Sequence, residues 1–269
     1  MKVCAIASGS SGNSVYVGHG NTHLLVDAGV SGKRIEEALL SIGTDASKLQ
    51  GILITHEHTD HTQGIGVLAR RYQIPIYATA ETLCCMLKGK TNLGRIPEGL
   101  FREINPGDRL WFDNIMVTAH PISHDAANPV CYTFEAEGTK AALVTDLGTY
   151  DDSIVTAVSE ADILYLEANH DENMLLVGSY PYILKQRILG ERGHQSNDLA
   201  ARLVCTVLHP GLKHVILAHL SKENNMPELA YETVRLELSE AARKRELPMP
   251  DLFVANRDTI SKMVSADAV

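Results

Sequence analysis

Short apolar runs, separated by polar turn residues, open the chain. They cover Lys2 to Ala7, Ser14 to Gly18 and Thr22 to Asp27, with glycine and asparagine between them. Connections this short predict the neighbouring strands of a β-meander. A helical pattern with an apolar face up to Ile42 follows Ser31, a residue type that caps helix N-termini well. The meander is therefore expected to be followed by a helix that packs on one side of a sheet.

The rest of the chain alternates between strand-like and helical patterns. The run Gly51 to Ile54 predicts a buried strand, and a helical pattern extends from Asp60 to near Pro75. Further strands are predicted at Asn114 to Ala119, Val130 to Glu135, Lys140 to Thr145, Asp162 to Glu167 and His214 to Ala218, and helices at Ser196 to Leu208 and Pro227 to about Arg245. Because there is no internal repeat or low-complexity linker, we expect one α/β domain over residues 1–269, with mixed sheets inside and helices outside.

The composition is that of a globular protein. The 269 residues include 24 Lys+Arg and 33 Asp+Glu, a formal net charge of 24 − 33 = −9, and 45% are hydrophobic. No apolar run approaches the ~18 residues that a membrane span needs. The apolar run at the N-terminus is too short for a signal peptide. A cytoplasmic protein without a membrane partner is therefore expected.

The cysteines are odd in number and form no C-x-x-C pair. Several lie within apolar stretches, so we expect reduced side chains that pack in the interior rather than disulfides or thiolate metal ligands. They are Cys4, Cys84, Cys85, Cys131 and Cys205.

The strongest chemical signal is the heptapeptide Thr55 to His61, which reads Thr-His-Glu-His-Thr-Asp-His and follows the predicted buried strand. A strand end with an irregular turn can direct the first two histidines to one metal ion, while Asp60 and the last histidine point to a neighbouring position. One such histidine alone would be read as a surface residue. Three histidines and an aspartate within six positions favour a metal site.

Four clustered ligands cannot complete two metal sites, so further ligands are expected from loops that converge at the same sheet edge. Asp146 and His219 each follow an apolar, strand-like run, and His124 lies in the loop after another. A single His or Asp at a strand end is most often a turn or capping residue. Together with the heptapeptide, these three residues become candidate ligands.

In order along the chain, these residues resemble the motifs of the metallo-β-lactamase superfamily. Asp27 in Leu-Val-Asp-Ala-Gly supplies the first motif, and the heptapeptide and the three candidate ligands supply the others. The resemblance implies a four-layer αββα sandwich with two divalent metal ions in the cleft between the sheet edges. It also implies their ligands, which are His56, His58 and His124 for one ion, Asp60, His61 and His219 for the other, and Asp146 as the bridge. Asp27 would orient a ligand histidine or its turn.

Two positions narrow the branch of the superfamily. Redox di-iron members carry Glu where this chain has His58, and several β-lactam hydrolases carry Cys in place of Asp146. The chain therefore resembles the phosphodiesterase, nuclease and thioester-hydrolase branches. Imidazole and carboxylate ligands leave Mn²⁺, Zn²⁺ and Fe²⁺ all open as the metal.

Several further segments resemble the YycJ/WalJ-type exonucleases. They are Ala7 to Ser14, His120 to Asp125, Glu167 to Asp171, Gly193 to Asn197 and Ala218 to Ser221. The resemblance implies a bacterial exonuclease that degrades DNA from the 5′ end, with a proposed role in DNA repair. Gln195, where Leu is usual, and Cys131, where Gly is usual, depart from the family pattern, and Gln195 leaves the substrate preference open.

A phosphate substrate also has a physical basis at the helix predicted after Ser196. His194 precedes the N-terminus of that helix, where free backbone N–H groups and the helix dipole attract an anion. His194 could therefore contact a phosphate oxygen or protonate the leaving group. Asn169, His170 and Ser196 are candidates for contacts to the ligands or the substrate, although an ordinary strand end explains Glu167 and His170 nearly as well.

Charge is unevenly distributed along the chain. Residues 150–175 hold seven acids and no bases, whereas residues 88–109 hold five bases against three acids, and residues 185–192 add three more bases. The two basic segments could line an approach for DNA, the expected partner, or carry only ordinary solvated charges. The glycine-rich segment Ser8 to Asn13 is similarly compatible with phosphate contact and with a simple turn.

The expected mechanism is hydrolysis by a hydroxide that bridges two metal ions, with Asp60 orienting the water and His194 serving as acid or phosphate clamp. Hydrolysis of a cyclic phosphodiester or a thioester is an alternative on the same site, and RNA processing is another. A non-catalytic metal-dependent binding module is disfavoured, because every ligand position of the motif is intact. The oligomeric state stays open.

Overall fold

The computed structural model of the protein describes residues 1–88 and 93–266. The strands are β1 Lys2–Ala7, β2 Ser14–His19, β3 Thr22–Val26, β4 Leu49–Leu53, β5 Ile76–Thr79, β6 Phe101–Ile104, β7 Arg109–Phe112, β8 Ile115–Pro121, β9 Val130–Ala136, β10 Thr139–Val144, β11 Ile163–Glu167, β12 His214–Ala218, β13 Asp251–Val254 and β14 Val264–Ser265. The helices are α1 Gly32–Ser41, α2 Thr59–Thr62, α3 Ile65–Tyr72, α4 Ala80–Lys88, α5 Asp152–Val158, α6 Glu172–Val177, α7 Tyr182–Leu189, α8 Asn197–Val207 and α9 Pro227–Arg245.

The strands form two seven-stranded sheets, in the orders β14-β1-β2-β3-β4-β5-β6 and β13-β12-β11-β10-β9-β8-β7. Strands β1, β2 and β3 are antiparallel neighbours, which confirms the predicted β-meander. Strands β3 to β6 are parallel in the first sheet, and β10 to β13 are parallel in the second. Since the carboxyl ends of parallel strands meet at one edge, the loops that follow them converge there.

Three apolar clusters fill the spaces between layers. The cluster between the sheets combines residues of both, such as Val17 of β2 with Phe134 of β9. A second cluster joins the first sheet to α1, α3 and α4, and a third joins the second sheet to α5, α8 and α9. The two sheets therefore lie face to face with helices on both outer sides, which confirms the four-layer αββα sandwich.

Side-chain caps fix two of the predicted helix starts. The Ser31 hydroxyl accepts a hydrogen bond from the backbone N–H of Arg34 at the start of α1 (3.4 Å), and the Ser196 hydroxyl accepts one from Leu199 at the start of α8 (3.3 Å). Helix α9 begins at Pro227, the position where a missing N–H costs nothing. These helix starts could be predicted from the sequence because each of the three residues lies within one turn of the beginning of its helix.

The continuous helix predicted from Asp60 to near Pro75 was wrong. It is divided into α2 and α3 at Gly64, whose N–H donates to the carbonyl of Ala28 (2.6 Å). A Cβ at Gly64 would lie 2.2 Å from the carbonyl oxygen of Val30, so only glycine allows this approach. The break pins the loop after β3 against the segment that carries Asp60 and His61.

The cysteine prediction holds in part. Cys4 and Cys131 are buried and Cys205 is half-buried, but Cys84 and Cys85 are exposed on α4. The thiols of all five are free. The interior position was wrong for the α4 pair because the buried face of that helix consists of Thr82, Leu83 and Met86 instead. Within residues 1–88 and 93–266, no helix combines the length and the apolar character needed to cross a membrane.

Candidate metal centre

Three of the predicted site residues leave their strands in the left-handed backbone conformation. Asp27 follows β3 with φ of 57°, Asp146 follows β10 with φ of 57°, and His219 follows β12 with φ of 53°. For a residue with a Cβ this conformation costs about 1–2 kcal/mol. All three side chains are buried. Such conformations are typical of functional sites, where the surrounding structure over-determines the backbone.

The first group of potential ligands contains His56, His58 and His124, whose ligand atoms lie within 4.8 Å of one another. His56 and His58 face each other through Nε2 and Nδ1 at 2.9 Å. The ring of His124 is fixed by its Nδ1, which donates to the carbonyl of Gly193 (3.1 Å), so its Nε2 remains for the cleft. That Nε2 is buried without a hydrogen-bond partner.

The second group contains Asp60, His61 and His219, again within 4.8 Å. His61 Nδ1 donates to Asp27 Oδ2 (2.8 Å), which also accepts a hydrogen bond from the Thr55 hydroxyl (2.8 Å). His61 Nε2 is thereby directed to the carboxylate of Asp60, 3.5 Å away. The hydrogen bond to Asp27 thus fixes the orientation of the His61 ring, a potential ligand.

Asp146 lies between the two groups. Its ligand atom is within 4.8 Å of those of His56, from the first group, and of His61, from the second. Its Oδ2 is 3.4 Å from His61 Nε2 and has no hydrogen-bond partner. This is the position expected of a carboxylate shared by two ions.

Glu167, at the end of β11, lies at the centre of a hydrogen-bond network in the cleft, a position that the sequence left undecided. Its Oε1 accepts from His219 Nδ1 (2.7 Å) and His194 Nδ1 (2.9 Å). Its Oε2 accepts from the backbone N–H groups of Leu147 (2.9 Å) and Gln195 (3.1 Å). Because β11 lies between β10 and β12, its carboxyl end was the place to look for a partner of Asp146 and His219.

Electrostatics in the metal-free cleft couple these imidazoles to the carboxylates. Burial opposes protonation of His219, but Asp146, Asp60 and Glu167 raise the pKa of His219 to about 10. Burial also opposes protonation of His194, yet Glu167 raises the pKa of His194 above its usual value. In return, although burial favours its neutral form, His194 and His219 hold the pKa of Glu167 well below its usual range. The carboxylates therefore create a negative potential at these imidazoles, which favours a positive charge in the cleft.

Other site groups shift in ways that suit ligands. Burial and the neighbouring histidines lower the pKa of His56 well below its usual value, so this ring is neutral. Burial disfavours the ionised form of Asp60, but His61 and His219 keep the pKa of Asp60 below its usual range. Asp27, which is not a proposed ligand, shifts in the opposite direction, because burial raises its pKa. A neutral imidazole and an ionised carboxylate are the forms that bind metal ions.

The donor set fits divalent metal ions. His124 Nε2, His219 Nε2 and Asp146 Oδ2 are buried and lack hydrogen-bond partners among the described residues. Buried polar atoms are normally hydrogen-bonded, so unpaired atoms that point into one cleft call for another partner. Imidazole nitrogens and carboxylate oxygens suit Mn²⁺, Zn²⁺ and Fe²⁺ alike, as expected from the sequence.

The cleft itself has a volume of about 260 Å³. Six of the predicted residues line it, namely His58, Asp60, Asp146, Asn169, His194 and His219. Asn169 also donates through Nδ2 to the carbonyl of His219 (2.9 Å), which braces a ligand backbone. His170 and Ser196 do not line the cleft, since His170 is buried beside Ser196 and the Ser196 hydroxyl caps α8.

The anion site predicted before α8 is occupied by the protein's own carboxylate. The backbone N–H of Gln195 donates to Glu167, so no phosphate is needed there. Gln195 itself is fully buried, and both atoms of its side-chain amide lack partners. The other departure from the family pattern, Cys131, is buried in the cluster between the second sheet and its helices.

Basic residues 185–192 stabilise the fold near the cleft. Lys185 donates to the carbonyls of Leu176 and Gly178, both at 2.7 Å. Arg187 lines the cleft but forms an ion pair with Asp125. Of the segment 88–109, Lys90 lies outside the described residues, and the described part contributes nothing to the lining of the cleft. Among the described bases of these two segments, only Arg187 lines the cleft, and Asp125 neutralises its charge.

Comparison with known proteins places these features in a family. The family model for the Beta-lactamase superfamily domain matches residues 22–219. Exodeoxyribonuclease YycJ of Bacillus anthracis is 40% identical over 258 residues, covering 96% of this chain and 95% of the relative. Exodeoxyribonuclease WalJ of Streptococcus pneumoniae is 42% identical over 241 residues, covering 90% of this chain and 89% of the relative.

The chain belongs to the YycJ/WalJ family of the metallo-β-lactamase superfamily. The resemblance given by its motifs is confirmed. Among solved structures, the metallo-β-lactamase fold protein YhfI of Bacillus subtilis superposes with a TM-score of 0.67 at 20% identity, covering 97% of this chain and 99% of YhfI. This likeness supports the fold of the YycJ/WalJ-family chain.

Proposed function

We propose that this YycJ/WalJ-family protein is an exodeoxyribonuclease that hydrolyses DNA from the 5′ end with two divalent metal ions in the cleft. The family consists of metal-dependent hydrolases, and both relatives compared above are named exodeoxyribonucleases. The observation that carries the proposal is the position of Asp146 between two groups of potential ligands. A carboxylate in that position suits a pair of ions.

Each side of the cleft would contribute to both ions. The proposed ligands are His56, His58 and His124 for one ion, Asp60, His61 and His219 for the other, and Asp146 for both. When bound, two divalent ions acidify water and neutralise charge on phosphoryl oxygens. Mn²⁺ and Zn²⁺ are the proposed metals, with Fe²⁺ as a further option.

The chain's own residues would move the protons. Asp60 is ionised and lines the cleft, so it can orient the attacking water and accept a hydrogen bond from it. The water oxygen forms the new bond to phosphorus and gives up one proton to solvent, while the bond from phosphorus to the leaving oxygen breaks. His194, held through Nδ1 by Glu167, would give the proton on Nε2 to that leaving oxygen.

The decisive test is digestion of duplexes labelled at the 5′ or the 3′ end, with Mn²⁺ or Zn²⁺ added. We expect early release of the 5′ label by the wild type and a loss of at least about 10²-fold in Asp146→Asn, because this removes charge shared by both ions. Asp152→Asn, an exposed acid on α5, is the matched control and should retain full activity. Equal degradation by wild type and Asp146→Asn would identify a contaminating nuclease.

A role in DNA repair completes the proposal. It predicts that a strain without this protein is more sensitive to DNA-damaging agents, and that Asp146→Asn does not restore resistance whereas Asp152→Asn does. Turnover of a glutathione thioester with no degradation of DNA would instead favour small-molecule hydrolysis.

A further inference from the structure

A second cavity adjoins the metal cleft and includes Ser8 of the glycine-rich segment in its lining. It has a volume of about 220 Å³ and shares Ser221 with the cleft. Its polar lining consists of Ser8, Ser221, Lys222, Asn225, Asn256 and Arg257. The metal cleft is lined by three aspartates, whereas this second cavity has no carboxylate in its lining. We call it the Arg257 cavity.

The Arg257 guanidinium carries a charge that no carboxylate neutralises. Its Nη2 donates to the carbonyl of Leu220, and its Nη1 is buried without an acceptor among the described residues. No Asp or Glu in the described part of the chain lies within ion-pair distance of it. The Arg257 side chain is partly buried, so its unpaired Nη1 leaves a hydrogen bond and a positive charge available to an anionic ligand.

Gly9 makes this arrangement possible. Its φ is 136°, a conformation that only glycine adopts readily, and a Cβ there would lie 2.7 Å from Arg257 Nη1. The guanidinium therefore packs directly against the backbone of the glycine-rich segment. That segment also serves the metal cleft, since the Ser8 hydroxyl accepts a hydrogen bond from the backbone N–H of His219 (2.8 Å). The position of Arg257 is thus tied to that of a proposed metal ligand.

Two further features favour an anion in the Arg257 cavity. Lys222 is exposed at its rim and forms no ion pair among the described residues. Pro227, the first residue of the 19-residue helix α9, lines the cavity, and no side chain caps that helix N-terminus. The helix dipole adds positive potential to that of the two side chains, and Glu228 in the same first turn offsets part of it.

We propose that the Arg257 cavity binds a phosphate group of the DNA strand next to the one being cleaved. This inference rests on the proposed nuclease function. Hydrolysis at the metal centre alone needs only one phosphodiester, but an exonuclease must also hold the strand in register. A phosphate bound by Arg257 and Lys222 would fix the position of the strand relative to the metal cleft. It would also explain how a protein of negative net charge binds an anionic substrate.

The test is binding of short fluorescent single strands with phosphorothioate linkages to the full-length, metal-loaded protein, measured by anisotropy over a range of salt concentrations. Arg257→Gln should weaken binding about tenfold or more, since a charge-assisted hydrogen bond contributes about 1.5–3 kcal/mol. It should also reduce the slope of log K against log salt by about 0.7, the value for one lost phosphate contact. Arg202→Gln, an exposed arginine on α8, is the matched control and should bind as the wild type does.

Lys222→Gln is a second variant of the same cavity, and it tests the proposal even if Arg257→Gln disturbs the glycine-rich segment. Lys222 is exposed, so the substitution should leave folding intact, weaken binding a few-fold and lower the salt slope in the same way. Strands with a 5′-phosphate or a 5′-hydroxyl distinguish the source of the phosphate. If the cavity holds the terminal group, only the 5′-phosphorylated strand loses affinity in the variants, whereas an internal phosphate predicts equal losses.

Unchanged affinity and salt slope in both variants, with DNA degradation by the wild type intact, would overturn the Arg257 cavity as a phosphate site and leave the nuclease function standing. Failure of the wild type to bind or degrade any DNA would remove the proposed function itself.

Discussion

Two buried carboxylates, one on each sheet, organise the opposite sides of the metal cleft in different ways. Asp27, after β3, accepts hydrogen bonds from Thr55 and from one imidazole, that of His61. Glu167, at the end of β11, accepts from two imidazoles and two backbone N–H groups. Burial raises the pKa of Asp27, whereas the two imidazoles keep the pKa of Glu167 well below its usual range despite burial.

The two carboxylates therefore differ in which side chains they contact. The Asp27 carboxylate hydrogen-bonds to one potential ligand, His61, and to Thr55. Glu167 touches a potential ligand, His219, and also His194, the proposed proton donor. Under the proposed function, Asp27 would support metal binding alone, and Glu167 would link metal binding to proton transfer.

The largest effect is expected for Glu167→Gln. It should lower kcat/KM on DNA by about 10³-fold or more, because loss of proton transfer costs about 10²–10⁴ and loss of a ligand's support a further 10–100-fold. The pH profile should change as well, since Glu167 raises the pKa of His194 and the alkaline limb of kcat should move to lower pH without it. Steady-state kinetics from pH 6 to 10 and metal analysis would measure both effects.

His194→Gln is the control for that substitution. It should abolish the alkaline limb while metal content stays at the wild-type level, because His194 is not among the proposed ligands. An unaltered pH profile in both variants would remove the link between Glu167 and proton transfer, and the two carboxylates would then be equivalent.

Asp27→Asn should have a smaller effect, confined to metal binding. We expect a loss of about 10–100-fold in metal affinity, the usual cost of removing a carboxylate that orients a ligand histidine. At saturating metal, kcat should recover and the pH profile should match that of the wild type. Titration with Mn²⁺ followed by activity measurement would show this, and a shifted alkaline limb would contradict it.

The smallest effect concerns the stability of the metal-free protein. The pKa of His219 is about 10 in the folded protein, well above the value of 6.5 for a free imidazole. Its contribution to stability is therefore complete below pH 6.5 and is lost as the pH rises towards 10. With a chelator present, Tm should fall steadily over this range, which thermal denaturation at a series of pH values would measure.

His120 on β8 provides a control of opposite sign. Burial lowers the pKa of His120, so its contribution is present above pH 6.5 and lost as the pH falls. His219→Gln should flatten the alkaline decline of Tm, whereas His120→Gln should leave it unchanged. Equal alkaline slopes in wild type and His219→Gln would show that Glu167 and its neighbours do not hold a proton on His219.

The two sides of the cleft also differed in how far the sequence could predict them. On the first side, the ligand residues His56 to His61 are contiguous, and the strand before them is marked by its own apolar run, so local pattern was sufficient. On the second side, the residues come singly from the ends of β10, β11 and β12, and only the pairing of these parallel strands brings them together. The sequence therefore placed Glu167 at the end of a strand but could not show that it lies at the centre of a hydrogen-bond network.

Contacts between distant segments account for the rest of what was missed. The break at Gly64 depends on its approach to the backbone after β3, which no helical periodicity reports. The neutralisation of Arg187 by Asp125, and the packing of Arg257 against Gly9, join residues far apart in sequence. Charge counts along a chain do not show which bases are already paired.

The left-handed backbone at Asp27, Asp146 and His219 has a consequence for descent within the superfamily. Glycine and asparagine accept this conformation most readily, so a duplicated copy released from selection for catalysis would gain stability by acquiring them there. Aspartate can reach asparagine through a single base change. Members of this fold that have lost catalysis should therefore carry Asn or Gly at these three strand ends more often than Ala. The residue at these positions would then distinguish an inactive member from an active one.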